Sequence, residues 1–274
     1  MRNRISDRTR MARKLGVGQG LSYKSFINPR DFSADSRVHR IMGQIIARLY
    51  VLLSDLERSF FFYFDFCFGG NDDVVTDIKE QYPCLPLTQT QSIAAECQIK
   101  HPHNKKGEDV IMTTDMILTI QRHDREETVA VSVKPSSKLN KRTIEKMQIE
   151  KRYWNDHDVK WVLLTERQIN KIQNNNIVFL RDFFKKESIE SDHSPQILSE
   201  LQARIHATDL SIDAFISDVS RKLKITEGVG RKCFYHLLAT KQVRFDYTKS
   251  FNFNLMVNEL TLTQYETIHQ PSLS

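Results

Sequence analysis

Two runs of alternating side chains joined by a polar turn constrain this chain more than any other feature. Val110 to Ile120 and Thr128 to Val133 both read as strands, and His123-Asp124-Arg125-Glu126 folds one back on the other. Lys134-Pro135 ends the second run. Val74 to Tyr82 reads as a further strand, leading into Pro83 and Pro86. Residues 141–154 are good helix formers with apolar positions Ile144, Met147 and Trp154, and Trp161 to Leu164 is a short buried strand. Upstream, Ser54-Asp55-Leu56-Glu57 has the form of a capping box. Leu56, Phe60, Phe64 and Cys67 follow it at helical spacing, so a core-facing helix is expected there, stopped by Gly69 and Gly70. Ser92 to Asp109 is polar and reads as loop. This order of elements predicts an α/β fold, with helices flanking a mixed sheet.

Beyond Glu166 the pattern changes. Asn170 to Asn176 is polar, and Lys185 to Ser194 reads as a charged linker. Helical patterns near 195–206, 209–223 and 227–240 lead into an alternating stretch, Val243 to Tyr247. Helices followed by a short hairpin suggest a winged-helix-like module. With 274 residues, two domains are reasonable. The expected boundaries are a basic flexible arm over 1–36, an α/β domain over 37–168 and a mainly helical C-terminal domain over 169–274.

Charge is concentrated at the start. The first 50 residues hold 11 Lys/Arg against 3 Asp/Glu, although the formal charge of the whole chain is only +6. A basic arm on a near-neutral body suits phosphate contact, because bound cations release counterions from DNA; a solvated tail is the plainer reading. Gly16, Gly18 and Gly20 are spaced like a phosphate-cradling loop, but no strand precedes them and no Lys-Ser pair follows. The longest apolar run, Phe60 to Phe68, is interrupted by Asp65 and is far too short to span a bilayer. No apolar segment follows the arginine-rich start, so a cytoplasmic protein is expected. Cys67, Cys84, Cys97 and Cys233 form no CxxC pair and read as small buried side chains. Cys97, His101 and His103 are too few for a structural zinc site.

The residues with chemical promise are Asp115 and, 19 positions on, Lys134. A carboxylate on one strand and a lysine at the end of its neighbour suit the cutting of phosphodiesters. The acid holds a hard divalent cation, and the lysine orients water or offsets developing charge. Pro135 leaves Lys134 at the rim of the sheet. Ser132 shares the Lys134 face by alternation and stands where an acid is usual, so a second carboxylate must come from elsewhere. Glu57 is the candidate, from the first core helix. Each has a plainer reading: Glu57 closing its capping box on the Ser54 amide, Asp115 starting a strand, and Lys134 guarding an edge against aggregation. Glu145 and Glu150 read as solvated helix residues partnered by Lys141 and Lys146.

Several longer strings add a resemblance. Leu52 to Glu57, Asp77-Ile-Lys-Glu-Gln-Tyr-Pro83, Ile99-Lys-His-Pro102, Met112-Thr-Thr-Asp115 and Val133-Lys134-Pro135 resemble the TnsA family, the endonuclease subunit of heteromeric bacterial transposases. Arg142-Thr-Ile-Glu-Lys146, Ile149-Glu-Lys-Arg-Tyr-Trp154 and Tyr247-Thr-Lys-Ser-Phe251 fit it too, in order, from about residue 37 to 251. The resemblance implies a restriction-endonuclease-like nuclease domain followed by a winged-helix domain. It implies Glu57, Asp115 and Lys134 as catalytic residues, with Glu57 and Asp115 binding Mg2+, for which Mn2+ substitutes. At the position two before the lysine the family commonly carries a glutamine that helps at the metal; Ser132 stands there in this chain. Cleavage at the 5′ ends of a mobile element is implied, with a partner transposase processing the 3′ ends and an AAA+ ATPase regulator docking on the C-terminal domain. A stand-alone nuclease of the same fold and a catalytically degenerate DNA-binding adaptor are the alternatives.

Overall fold

The computed structural model describes residues 5–27, 37–66, 73–185 and 192–263. The chain forms two compact units, residues 1–169 and 170–274. Gly69, Gly70 and Cys67 at the end of the first core helix, and most of the 185–194 linker, lie outside the described residues. Among the described residues no helix is long and apolar enough to cross a membrane.

The first unit is built on four strands, β3 (Asp73–Pro83), β4 (Thr113–Arg122), β5 (Arg125–Val133) and β6 (Lys160–Leu164). Their spatial order is β3-β4-β5-β6. β3, β4 and β5 are antiparallel neighbours and β6 runs parallel to β5, so the sheet is mixed. The hairpin turn is tighter than the sequence pattern suggests. Arg122 already pairs with Arg125, which leaves a two-residue loop with His123 in the left-handed region at φ 47°.

Two helices, α3 (Leu87–Glu96) and α4 (Lys141–Asn155), pack together beside the sheet. Ile93, Ala94, Ile117, Ala130, Ile149, Tyr153 and Trp154 share one core there. The second half of α3, from Ser92, falls in the stretch that reads as loop. Its Thr and Gln residues conceal a buried stripe of Thr90, Ile93 and Ala94. α4 buries Met147, Ile149, Glu150, Tyr153 and Trp154, whereas Ile144 is exposed. Met147 and Trp154 thus face the core as the apolar pattern indicated, and Ile144 does not.

A small hairpin of β1 (His39–Met42) and β2 (Leu49–Leu52) precedes helix α2 (Asp55–Asp65). Tyr50 and Phe61 are fully buried, with ring centroids 4.5 Å apart. Burying a side chain of that size is worth about 1.5–3 kcal/mol. Gly43 permits the β1–β2 turn, because a Cβ there would lie 2.5 Å from the Ile46 carbonyl oxygen.

The expectation of a flexible arm over 1–36 is corrected for residues 5–27, which fold onto the first unit; residues 1–4 and 28–36 lie outside the described residues. α1 (Asp7–Ala12) is capped by Ser6, and the Asp7 carboxylate accepts the Ile111 amide at 2.8 Å. Gly20 donates its amide to Asp77 at 3.0 Å, and the Tyr23 hydroxyl donates to the Glu80 carbonyl at 2.9 Å. These ties span 57 positions or more, so no local pattern announces them. Gly16 packs against Pro83 with φ 74°, and a Cβ there would collide with the proline ring at 2.5 Å.

Those contacts also blunt the open edge of the sheet. Among the described residues β3 pairs with β4 alone. On its other side the Arg48 guanidinium donates to the Ile78 carbonyl at 2.7 Å and grips the Glu80 carboxylate at 2.5 and 3.0 Å. Arg48 lies 3.6 Å from the Tyr50 ring centroid and 5.0 Å from that of Tyr23. An exposed edge strand invites pairing with another chain, and here side chains occupy its acceptors.

The second unit contains α5 (Lys171–Arg181), α6 (Ser194–Arg204), α7 (Ile212–Leu223) and α8 (Glu227–Ala239), with a two-stranded sheet of β7 (Val243–Arg244) and β8 (Thr261–Leu262). The three expected helices are present. α5 is additional, its apolar residues Ile177 and Leu180 lying beyond the polar asparagine run. Phe215, Val219, Phe234 and Leu237 are fully buried. Gly230 brings α7 and α8 close, since a Cβ there would meet Ser220 Oγ at 2.3 Å.

Candidate active site

The three residues singled out in the sequence come together at one end of the sheet. Lys134 follows directly on β5, and its amide continues the ladder by donating to the Leu164 carbonyl of β6 at 3.0 Å. The Lys134 ammonium donates to Asp115 Oδ2 at 2.8 Å, and the Val133 amide donates to the same oxygen at 2.7 Å. The regular β4–β5 ladder ends at Met116–Val131. Beyond it, the Asp115 carboxylate takes a backbone donor that a strand carbonyl would otherwise use.

Glu57 arrives from the first turn of α2. Ser54 caps that helix by accepting the Glu57 amide at 3.1 Å. The Glu57 carboxylate in turn accepts the Ser54 hydroxyl at 3.1 Å on Oε1 and the Leu53 amide at 2.9 Å on Oε2. The capping reading thus holds in altered form, because the reciprocal bond goes to Leu53 rather than to the Ser54 amide. Capping does not exclude a place in the site. Burial raises the Glu57 pKa first and the charge of Asp115 second, to about 7, although Leu53, Lys134 and Ser54 favour the charged form. Lys134 shows the opposite balance. Burial alone would lower it, but the carboxylates of Asp115 and then Glu57 hold it above the ordinary lysine range. Asp115 and Glu57 are buried, whereas the Lys134 side chain keeps 37% of its surface open.

Glu150 is a correction. It is not a solvated helix residue beside Lys146. Its Oε1 accepts the Ser132 hydroxyl at 2.5 Å and the Thr114 hydroxyl at 2.7 Å. Each hydroxyl is held by an indole, Trp161 Nε1 to Ser132 Oγ at 3.1 Å and Trp154 Nε1 to Thr114 Oγ1 at 2.7 Å. Burial raises the Glu150 pKa first and the nearby Asp115 second. Glu150 therefore places a third carboxylate beneath Asp115, and Ser132 serves as its donor. A signal for it was present, since Glu150 lies on the Met147 and Trp154 face at helical spacing, where a solvated acid does not belong.

The sequence reading also passed over Gln81 of β3. It is buried, and its Nε2 donates to Glu57 Oε2 at 3.2 Å. Elsewhere, His101 is buried with its ring nitrogens 3.0 Å from Thr90 Oγ1 and 3.1 Å from the Pro102 carbonyl. Cys84 and Cys233 are buried thiols outside any disulfide, while Cys97 is only partly covered. Among the described residues no group of three or more His, Cys, Asp or Glu side chains is arranged to hold a metal ion. The donors at the sheet end are a pair of carboxylates, Glu57 and Asp115.

Comparison with known proteins gives consistent matches. The family model described as the N-terminal part of TnsA-like endonucleases matches residues 72–166, and that for the TnsA endonuclease C-terminal part matches residues 168–247. Asp115, Lys134 and Glu150 lie within the first span, and Glu57 lies before it. The transposon Tn7 transposition protein TnsA of Escherichia coli is 31% identical over 244 residues, covering 87% of this chain and 85% of that protein.

Proposed function

We propose that this chain, which belongs to the TnsA endonuclease family, is the DNA-cutting subunit of a transposase and hydrolyses the phosphodiester at the 5′ ends of a mobile element. The observation that carries this reading is the meeting of Glu57, Asp115 and Lys134 at one sheet end, from three separate elements. A partner transposase would process the 3′ ends, and an AAA+ ATPase regulator would dock on the second unit. Three helices followed by the short β7–β8 ribbon support a winged-helix description of that unit. A mixed sheet with acids and a lysine at one end supports a restriction-endonuclease-like description of the first.

The residues fit a divalent cation. Both acids offer hard oxygen donors, and Mg2+ is usually held by one or two carboxylates, with water filling its other positions. Burial first and the Asp115 charge second raise the Glu57 pKa despite Lys134, and a bound cation would favour the charged carboxylate. Glu57 and Asp115 would hold Mg2+, with Mn2+ as a substitute. When bound, the ion would polarise the scissile phosphate and lower the pKa of water.

The protein's own groups would do the rest. Lys134, kept charged by Asp115, would orient the attacking water and offset the charge that builds on the phosphate. Asp115 is itself fixed by the Val133 amide, so it holds its aim as charge develops. Glu150, held by the Ser132 and Thr114 hydroxyls, would fix the strand ends on either side of Asp115. Exposed Arg8, Arg13, Lys14 and Lys24 on the folded N-terminal segment suit contact with DNA phosphates.

The test is nicking of transposon-end DNA in Mg2+, with and without the partner transposase. Strand cuts at the 5′ ends are expected, lost in Asp115→Ala and in Lys134→Ala. Full nicking by both variants would remove the assignment, and efficient cutting of unrelated DNA without partners would favour a stand-alone nuclease.

A further inference from the structure

Gln81 combines three properties that no other residue near the site shares. It is buried at 2% exposure inside β3. Its φ is 51°, in the left-handed region that non-glycine residues avoid. Among the described residues, the other non-glycine positions with positive φ are Lys14, Gln98, His123, Asp158, Lys224 and Lys241. None of these is buried and none lies inside a strand. Third, its amide bonds to the site. Nε2 donates to Glu57 Oε2 at 3.2 Å, and Oε1 accepts from Thr113 Oγ1 at 3.5 Å.

Its place in the ladder explains how it reaches the site. Glu80 pairs with Met116 and Tyr82 pairs with Thr114, so Gln81 falls opposite Asp115. The regular ladder is interrupted beside Asp115 on both sides: by the left-handed turn of Gln81 in β3, and by the capture of the Val133 amide in β5. A strained backbone inside a strand persists only when its surroundings enforce it, and such strain collects at functional sites. Here the strained residue links β3 to the first turn of α2 through the Glu57 carboxylate.

We propose that Gln81 is a positioning residue that holds the Glu57 carboxylate in its cation-facing orientation. The proposal rests on the nuclease reading above and deepens it. Glu57 Oε2 has two donors, the Leu53 amide from its own helix start and Gln81 from the sheet. Leu53 ties the carboxylate to α2, and Gln81 ties it to the strand that lies beside Asp115. Without the amide, Glu57 keeps its cap but loses its registration against Asp115. The neutral amide suits this task because it donates to a carboxylate without neutralising it. Partners that orient a metal ligand in this way are typically worth about 10–100-fold in metal affinity.

Two variants of the intact chain, Gln81→Gly and Gln81→Ala, test the proposal through Mn2+ binding by calorimetry, thermal unfolding in chelator, and the Mg2+ dependence of end nicking. Glycine accepts a positive φ without strain, so Gln81→Gly should unfold at or above the wild-type temperature. It should nonetheless bind Mn2+ about 10–100-fold more weakly, need correspondingly more Mg2+ for nicking, and approach the wild-type rate once Mg2+ saturates. Gln81→Ala should show the same loss of affinity. A lower unfolding temperature with unchanged Mn2+ affinity in Gln81→Gly would assign the residue a purely structural role and overturn the proposal. If the wild-type chain took up no Mn2+, the nuclease reading would fall and this inference with it. Normal wild-type uptake matched by Gln81→Gly would overturn the positioning role alone.

Discussion

Lys134 and Asp115 are joined by a 2.8 Å contact between Nζ and Oδ2, and the oxygen they share is also the one that accepts the Val133 amide. Asp115 is therefore anchored to β5 by backbone and side chain together. Removing the ammonium leaves the backbone anchor in place. Lys134→Met should keep the fold, judged by circular dichroism, and lower the nicking rate by about 10²–10³-fold, the usual cost of losing one donor aimed at transition-state charge. A Lys134→Met protein that nicks at the wild-type rate would remove the lysine from the mechanism.

Glu57 makes stability depend on pH in a direction opposite to that of most acids. Its folded pKa of about 7 lies above the ordinary 4.5, so the folded state holds the proton more tightly than the unfolded chain does. This contribution is fully present below pH 4.5 and is lost as pH rises through 7. In chelator, the unfolding free energy should fall across that window by on the order of 3 kcal/mol. Glu57→Gln should flatten the slope, and Mg2+ should restore stability at pH 8. Urea titrations at a series of pH values would decide the matter, and a slope unchanged by Glu57→Gln would disprove it.

Arg48 and Glu80 form a buried pair whose members depend on each other. Burial pushes the Glu80 pKa up, and the Arg48 guanidinium opposes that shift. Arg48→Met should destabilise the protein by about 3–5 kcal/mol, because it strands a buried carboxylate. Adding Glu80→Gln should recover part of the loss. Strict additivity of the two changes in urea denaturation would argue against coupling.

The N-terminal segment is structural as well as basic. A chain beginning at residue 28 loses the Tyr23, Gly20 and Asp7 ties to β3 and to Ile111. Its thermal midpoint should fall by several degrees, whatever happens to DNA affinity. An unchanged midpoint with weaker DNA binding would restore the picture of a loose arm.

What could be read from the sequence follows the range of the forces involved. β4, β5, α4, β6 and α6 to α8 announce themselves through local periodicity, and Asp115 with Lys134 through hairpin geometry. Glu57 carries a capping pattern, and the structure keeps that cap while placing the carboxylate near Asp115 and Lys134. α3 and α5 give a weak local signal because Thr, Gln and Asn dilute the apolar stripe that marks a helix. The lysines near Glu150 point to solvent, although it shares the buried face of Trp154. Gln81 gives no local signal at all. Its left-handed backbone and its bond to Glu57, 24 positions away, arise only when α2 and β3 are assembled.

The side-chain grip of Arg48 and Tyr23 on β3 also limits how this protein can be recognised. The Ile78 and Glu80 carbonyls are already satisfied from within the same polypeptide. An extended peptide from another protein would have to displace a guanidinium and a phenol before it could add itself as a fifth strand there. Backbone complementation by another chain is therefore disfavoured along Ile78 to Glu80.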